Sequence, residues 1–290
     1  MRMRHVRFGR QWRRGCLAAV LALAGLHAHA AEPQRIELGT ADTTPLHAWW
    51  WAPERSADAP VVIALHGCGG LTNERGVLAE RYLDYGRRLY RAGYAVLMPD
   101  SFGSRGQGSQ CAVRYKNRSI DLGHRRSDVL RALAWLEAAH GIGAARVALL
   151  GWSNGATTTL AVLDNARGTP PPVAGAAVFY PGCGTLQRQQ AMLAAVPLLM
   201  ELGADDDWTP PAPCIALAER LKGQGRDVTL HVYPDSVHGF DGTAPVRVRT
   251  DVPNGVSPHG VRQGGNPAAR EASLAALDAF LARVLARKGQ

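Results

Sequence analysis

The chain has 290 residues, of which 46% are hydrophobic and 20% charged, a balance that excludes disordered, collagen-like and coiled-coil proteins. Its formal charge is +9, but six arginines and no acid fall in residues 1–30, leaving 27 basic and 24 acidic residues elsewhere, a net of +3. A nucleic-acid-binding protein needs its positive charge clustered on the folded domain, so no nucleic-acid partner is expected.

Residues 1–14 are rich in arginine, residues 16–26 (CLAAVLALAGL) form an apolar run of 11, and Ala28-His29-Ala30 supplies small residues around a cleavage point. This order reads as a secretory signal peptide over residues 1–30, cut after Ala30, which predicts a periplasmic or secreted protein. The apolar run is too short for a bilayer, which needs about 20 residues, and no later stretch is apolar enough, so stable membrane insertion is not expected. Arg13-Arg14 leaves both twin-arginine and general export open.

From residue 32 to 290 the pattern predicts one α/β domain. Strands are predicted over residues 46–51, 61–65, 94–98, 147–150, 173–180, 196–202 and 228–233. Helices are predicted over 77–91, 124–139, 154–165, 213–222 and 268–287. VVIAL and YAVLM are continuous apolar runs, the mark of strands covered on both faces, and Pro99 stops the second. Short strands alternating with longer helices predict a mostly parallel central sheet with helices on both faces. Residues 243–267, rich in Gly, Pro and Asn, read as a long surface loop.

The sharpest motif is Gly151-Trp152-Ser153-Asn154-Gly155, between the predicted strand RVALL and the predicted helix NGATTTLAVL. G-x-S-x-G in a strand–turn–helix setting is a nucleophile elbow: Ser153 sits in a strained turn with Oγ exposed, and only small residues two positions before and after let the backbone close up. The helix that follows aims its N-terminal N–H groups at developing negative charge. An elbow requires an acid and then a histidine further along the chain. The acid lies in Asp205-Asp206-Asp207, past the strand VPLLMEL; Asp206 is the preferred candidate and Asp207 the alternative. The histidine is His238 in YPDSVHGF, past the strand DVTLHVY, placed to take the Ser153 proton while the acid fixes its tautomer. In Leu65-His66-Gly67-Cys68-Gly69-Gly70 the Cys68 N–H is the expected first oxyanion donor, with Gly67 or Gly69 in reserve, and Asn154 N–H is the second. His66 reads as structural. Trp152 and Trp208 are expected to flank the site and shape an apolar substrate pocket. This chemistry requires no metal or organic cofactor.

Outside the leader, which holds Cys16, four cysteines remain: Cys68, Cys111, Cys183 and Cys214. An even number in an oxidising compartment predicts two disulfides. Cys68–Cys111 and Cys183–Cys214 are the favoured pairs, because each would join loops at the same end of the sheet. No C-x-x-C spacing supports a metal site instead.

Taken in order, HGCGG, PDSFGSRG, GWSNG, GADDDWTP and YPDSVHGFD resemble the dienelactone hydrolase family of α/β-hydrolases, over residues 45–245 and the final helix. The resemblance implies the α/β-hydrolase fold and a nucleophile–histidine–aspartate triad, falling on Ser153, His238 and Asp206. It also implies a carboxylate-binding arginine after the PD segment, which Arg105 matches. The founding enzymes carry Cys at the nucleophile and Glu near the oxyanion turn, where this chain has Ser153 and Gly67, which points away from dienelactone itself. The expected activity is hydrolysis of small-molecule carboxylic esters or lactones through an acyl-enzyme. A serine peptidase and a non-catalytic binding module are the alternatives. The second would have lost a triad member, and none is missing. Oligomeric state is not encoded in any of these motifs.

Overall fold

Parallel strands buried on both faces must be apolar at every position, and that is how the centre of this protein is built. The computed structural model describes residues 1, 3, 32–39, 45–52 and 59–286; apart from Met1 and Met3, the leader expected over residues 1–30 lies outside them. Among the described residues, one sheet contains β1 (Gln34–Leu38), β2 (Leu46–Trp51), β3 (Val61–Leu65), β4 (Ala95–Pro99), β5 (Val147–Trp152), β6 (Gly175–Phe179), β7 (Leu198–Gly203) and β8 (Val228–Tyr233). Their spatial order is β1-β2-β4-β3-β5-β6-β7-β8. The pairs β1–β2 and β2–β4 are antiparallel, and every other neighbouring pair is parallel.

Six helices connect and cover these strands: α1 (Glu80–Arg91), α2 (Leu122–His140), α3 (Asn154–Leu163), α4 (Gly184–Arg188), α5 (Ala212–Gly223) and α6 (Pro267–Val284), counted among the described residues. Strand residues alternate between two cores. Val61, Ile63 and Leu65 of β3 pack with Val129 of α2, Leu160 of α3 and Leu217 of α5. Val62 and Ala64 pack on the other face with Tyr85 of α1 and Leu281 of α6. Full burial of each Val, Leu or Phe side chain contributes about 1.5–3 kcal/mol, so this alternation fixes the strand registers.

The fold class is the α/β arrangement expected, with local differences. Helix α2 starts at Leu122, because Asp121 caps it by accepting the His124 N–H at 3.0 Å. Strand β1 and helix α4 carry no strong pattern and were not expected. The surface loop expected over 243–267 is partly ordered: β9 (Arg247–Arg249) pairs antiparallel with β10 (Val261–Gln263). Val252 and Val261 from this stretch bury against Cys68, Cys111 and Trp208. Its charged, glycine-rich composition hid a segment that buries two of its valines while Val246, Val248 and Val256 stay exposed.

Both expected disulfides are present, Cys68–Cys111 closing a separation of 43 residues and Cys183–Cys214 one of 31. Among the described residues no helix is long and apolar enough to cross a membrane. The carboxyl ends of β3, β5, β7 and β8 lie along one edge of the sheet. That edge gathers the HGCGG turn, the G-x-S-x-G turn, the aspartate run and the His238 loop, as expected for a ligand site in a parallel sheet.

Candidate active site

The turn between β5 and α3 places Ser153 at φ 53° and ψ −117°. A non-glycine residue there is strained by about 1–3 kcal/mol, which the surroundings must hold. The Ser153 N–H donates to Phe179 O at 2.9 Å, and Ser153 O accepts from Thr157 N–H at 2.9 Å and from Thr157 Oγ1 at 3.1 Å. The flanking glycines are sterically required. A Cβ on Gly151 would lie 2.5 Å from Gly155 O, and one on Gly155 would lie 2.0 Å from Leu65 O. The elbow is therefore wedged against the end of β3, and Ser153 Oγ projects beyond it.

His238 Nε2 lies 3.0 Å from Ser153 Oγ, across 85 residues of sequence. Its Nδ1 lies 2.8 Å from Asp206 Oδ2. The imidazole is 2% exposed and is sandwiched by Trp208 and Tyr180, with ring centroids at 4.5 and 4.6 Å. Asp206 Oδ1 accepts the N–H groups of Trp208 at 2.9 Å and Thr209 at 2.8 Å. The other aspartates of the run face elsewhere: Asp207 pairs with Arg262 at 2.9 Å, and Asp205 is exposed. Thr209, which sequence reasoning passed over, has Oγ1 at 2.9 Å from Asp206 Oδ2, 3.1 Å from His238 Nδ1 and 3.0 Å from Tyr180 O. Its only signal in the sequence was its place just after the run.

At the end of β3 the Gly67 N–H donates to Tyr82 Oη at 2.8 Å, so Gly67 is taken. Among the described residues, neither the Cys68 nor the Asn154 N–H donates a hydrogen bond within the protein. Gln110 N–H donates to Cys68 O at 2.7 Å, and the Cys68–Cys111 disulfide fastens the same loop. His66 Nδ1–H bonds Gly67 O at 2.8 Å, in keeping with a structural role. Burial, and then the charge of Arg125, hold the His66 ring well below the ordinary histidine range, so it is neutral.

Two expected substrate contacts are corrected. Trp152 is 1% exposed and packs on Tyr82, Tyr85 and Phe179 beneath the elbow. It continues the Ala148–Leu150 face of β5 toward α1 and α6, so strand alternation turns it away from the site. Arg105 forms a two-armed ion pair with Asp128, at 2.8 and 2.7 Å, and also donates to Ser101 O. Those bonds use both N–H groups of Nη1 and one of Nη2, so the guanidinium is turned toward Asp128 and Ser101 as an internal ion pair. Trp208, by contrast, stands against His238.

Trp152 has a partner that the sequence did not flag. Its Nε1 donates at 3.1 Å to Asp241, a fully buried carboxylate that also accepts from Tyr85 Oη at 2.8 Å, Tyr180 Oη at 2.7 Å and Arg81. Burial works to raise this carboxyl, but Arg81 and the hydroxyls outweigh it and hold it below the usual range. Beside the elbow, a cavity of about 550 Å³ is lined by Asn154, Thr157, Gly182, Leu186, Arg118 and Arg188, among others.

A strained serine, an imidazole and a carboxylate in contact on an α/β-hydrolase sheet define the class of the protein. The family described as the dienelactone hydrolase family matches residues 46–285, and the chain belongs to it, a hydrolase acting on ester bonds. No curated protein matches the chain in sequence. Solved structures resemble it in fold. One is a Klebsiella pneumoniae protein assigned to the dienelactone hydrolases, at TM-score 0.63 and 16% identity, covering 87% of this chain and 98% of that one. Another is Thermogutta terrifontis esterase 2 phosphorylated by paraoxon, at TM-score 0.62 and 16% identity, covering 89% and 97%. A third is the dienelactone hydrolase-like promiscuous phosphotriesterase P91 from metagenomic libraries, at TM-score 0.60 and 19% identity, covering 87% and 98%.

Proposed function

We propose that the chain is an exported serine hydrolase that cleaves small carboxylic esters or lactones through an acyl-enzyme. The observation that carries this reading is the unbroken relay Ser153 Oγ–His238 Nε2–Nδ1–Asp206 Oδ2, at 3.0 and 2.8 Å. Ser153 attacks the acyl carbon while His238 takes its proton. Asp206 holds the imidazole in the tautomer with Nδ1 protonated and stabilises the imidazolium. The N–H groups of Cys68 and Asn154 receive the oxyanion. His238 then protonates the leaving alcohol and activates the water that releases the acid. Trp208 keeps solvent from the imidazole.

The reading gives residues 1–30 as a removed leader and 32–290 as the mature domain, and the two disulfides support an oxidising compartment. Short acyl esters suit a cavity of about 550 Å³, and its arginines favour a substrate with an anionic group. The neighbouring structures add phosphotriesters such as paraoxon to the panel worth assaying. A fluorophosphonate probe should modify Ser153 stoichiometrically, and Ser153→Ala should abolish hydrolysis of p-nitrophenyl acetate while its melting temperature stays near wild type. Retained turnover in that variant refutes the assignment.

A further inference from the structure

We propose that Arg125 is the positioning residue of this site, clamping its two oxyanion-binding halves together and giving them a buried positive charge. The proposal rests on the hydrolase reading above. Arg125 lies in the first turn of α2, 1% exposed. One arm of its guanidinium donates to the Asn154 side chain, on the residue whose N–H faces the oxyanion from the elbow. The other arm donates at 2.7 Å to His66 O, at the head of the turn that carries the Cys68 N–H. A single rigid fork thus spans the gap between the end of β3 and the start of α3. Lysine, with one point of attachment, cannot reproduce that geometry.

Its charge is the second argument. Among the described residues no carboxylate forms an ion pair with Arg125. The nearest acid on its own helix, Asp128, is held by Arg105. The guanidinium lies over the Phe102 ring at 5.1 Å, and its Nε has no partner. Burial, and to a lesser extent Arg118, pull it down to about 10 against the opposing influence of Tyr82, Asp128 and Asp100, so it remains charged at neutral pH. A buried cation with no carboxylate in direct contact, only Asp128 and Asp100 at longer range, is costly in the resting protein. Negative charge forming between the Cys68 and Asn154 N–H groups would relieve that cost, so the stabilisation is greatest in the transition state.

The test is a set of three measurements on Arg125→Met and Arg125→Lys beside the wild type: kcat and KM for p-nitrophenyl acetate, the Ki of a trifluoromethyl ketone, and the rate and stoichiometry of fluorophosphonate labelling. The ketone adds to Ser153 as an anionic hemiketal, so it reports the oxyanion site directly. Arg125→Met should lose about 10²–10³ in kcat with KM within threefold, as for loss of one oxyanion donor. The ketone Ki should weaken in proportion, and Ser153 should label completely but more slowly. Arg125→Lys should lose about tenfold in kcat; it carries the test if the methionine variant does not fold. Wild-type kcat in folded Arg125→Lys overturns the proposal, as does a rise in KM with unchanged kcat and ketone affinity. Failure of the wild-type protein to label at Ser153 would instead remove the hydrolase reading itself.

Discussion

Replacing Asp206 by Asn should nearly abolish turnover, and the hydrogen bonds around the carboxylate say why. Asp206 Oδ1 accepts two backbone N–H groups, from Trp208 and Thr209, at 2.9 and 2.8 Å. An asparagine must keep its carbonyl oxygen there, because the amide NH2 would otherwise face two donors. A buried N–H left without an acceptor costs about 1–3 kcal/mol, so an amide flipped against both donors is disfavoured by several kcal/mol. The NH2 group therefore points at His238 Nδ1, 2.8 Å from the atom it replaces. Nδ1 must then accept, and the ring proton moves to Nε2, against Ser153 Oγ. An imidazole in that tautomer cannot take the serine proton. The expected loss is about 10⁴ in kcat, or about 5.5 kcal/mol of barrier. The assay is steady-state hydrolysis of p-nitrophenyl acetate at pH 8, with thermal unfolding measured on the same preparation. Asp207→Asn is the control: its carboxylate pairs with half-exposed Arg262, and kcat should change less than twofold. A folded Asp206→Asn protein retaining a tenth of wild-type kcat refutes the reasoning.

Gly155→Ala should not yield folded protein, because its Cβ would lie 2.0 Å from Leu65 O and 2.6 Å from His66 O, and neither is a side chain that can move away; a soluble variant with a native circular dichroism spectrum contradicts this. Removing the Cys68–Cys111 bridge by a double Ser substitution should lower stability by up to about 4 kcal/mol, from the loop of 43 residues it closes, read by urea denaturation; an unchanged midpoint would show the loop constraint to be worthless. Glu201, fully buried on β7 beside His231, is pushed up to about 6 by burial, so the unfolded chain releases this proton at lower pH than the native state. Native protein then holds more protons than unfolded protein between about pH 4 and 6, and wild type should lose about 2 kcal/mol of stability as pH rises through that window. Glu201→Gln should abolish that loss in pH-dependent denaturation, and an unchanged pH slope in the variant counts against it.

What could be read from the sequence was whatever the chain decides locally. G-x-S-x-G declares itself because Gly151 and Gly155 are demanded by backbone atoms a few residues away or one strand over. The alternating cores of β3 and β5 follow from period two. Applied to Trp152, that same rule would have turned it inward with Ala148 and Leu150; the motif around it suggested a pocket wall instead. The aspartate run could not be resolved locally, since three identical side chains differ only in which one the Trp208 and Thr209 N–H groups capture. Arg125 did leave a trace: it falls on the buried stripe of α2 with Val129, Ala132, Leu133 and Leu136. A charge on an apolar stripe needs a partner, but the sequence does not say that the partners are a carbonyl at residue 66 and an amide at residue 154.

Asp241 shows the limit most clearly. Three residues past His238 it reads as loop polarity, yet it is fully buried and accepts the indole N–H of Trp152, the residue before Ser153. It also accepts the hydroxyl of Tyr180, whose ring packs on His238. Both ends of the serine–histidine contact are thereby referenced to one carboxylate below the sheet edge, which Arg81 on α1 keeps ionised. The strain at Ser153 and the position of an imidazole 85 residues away are then not independent facts. A change at Asp241 would loosen the elbow and the histidine loop together. Coupling of that kind arises only once β5, β6, β8 and α1 have assembled, because no one of them alone buries the group they share.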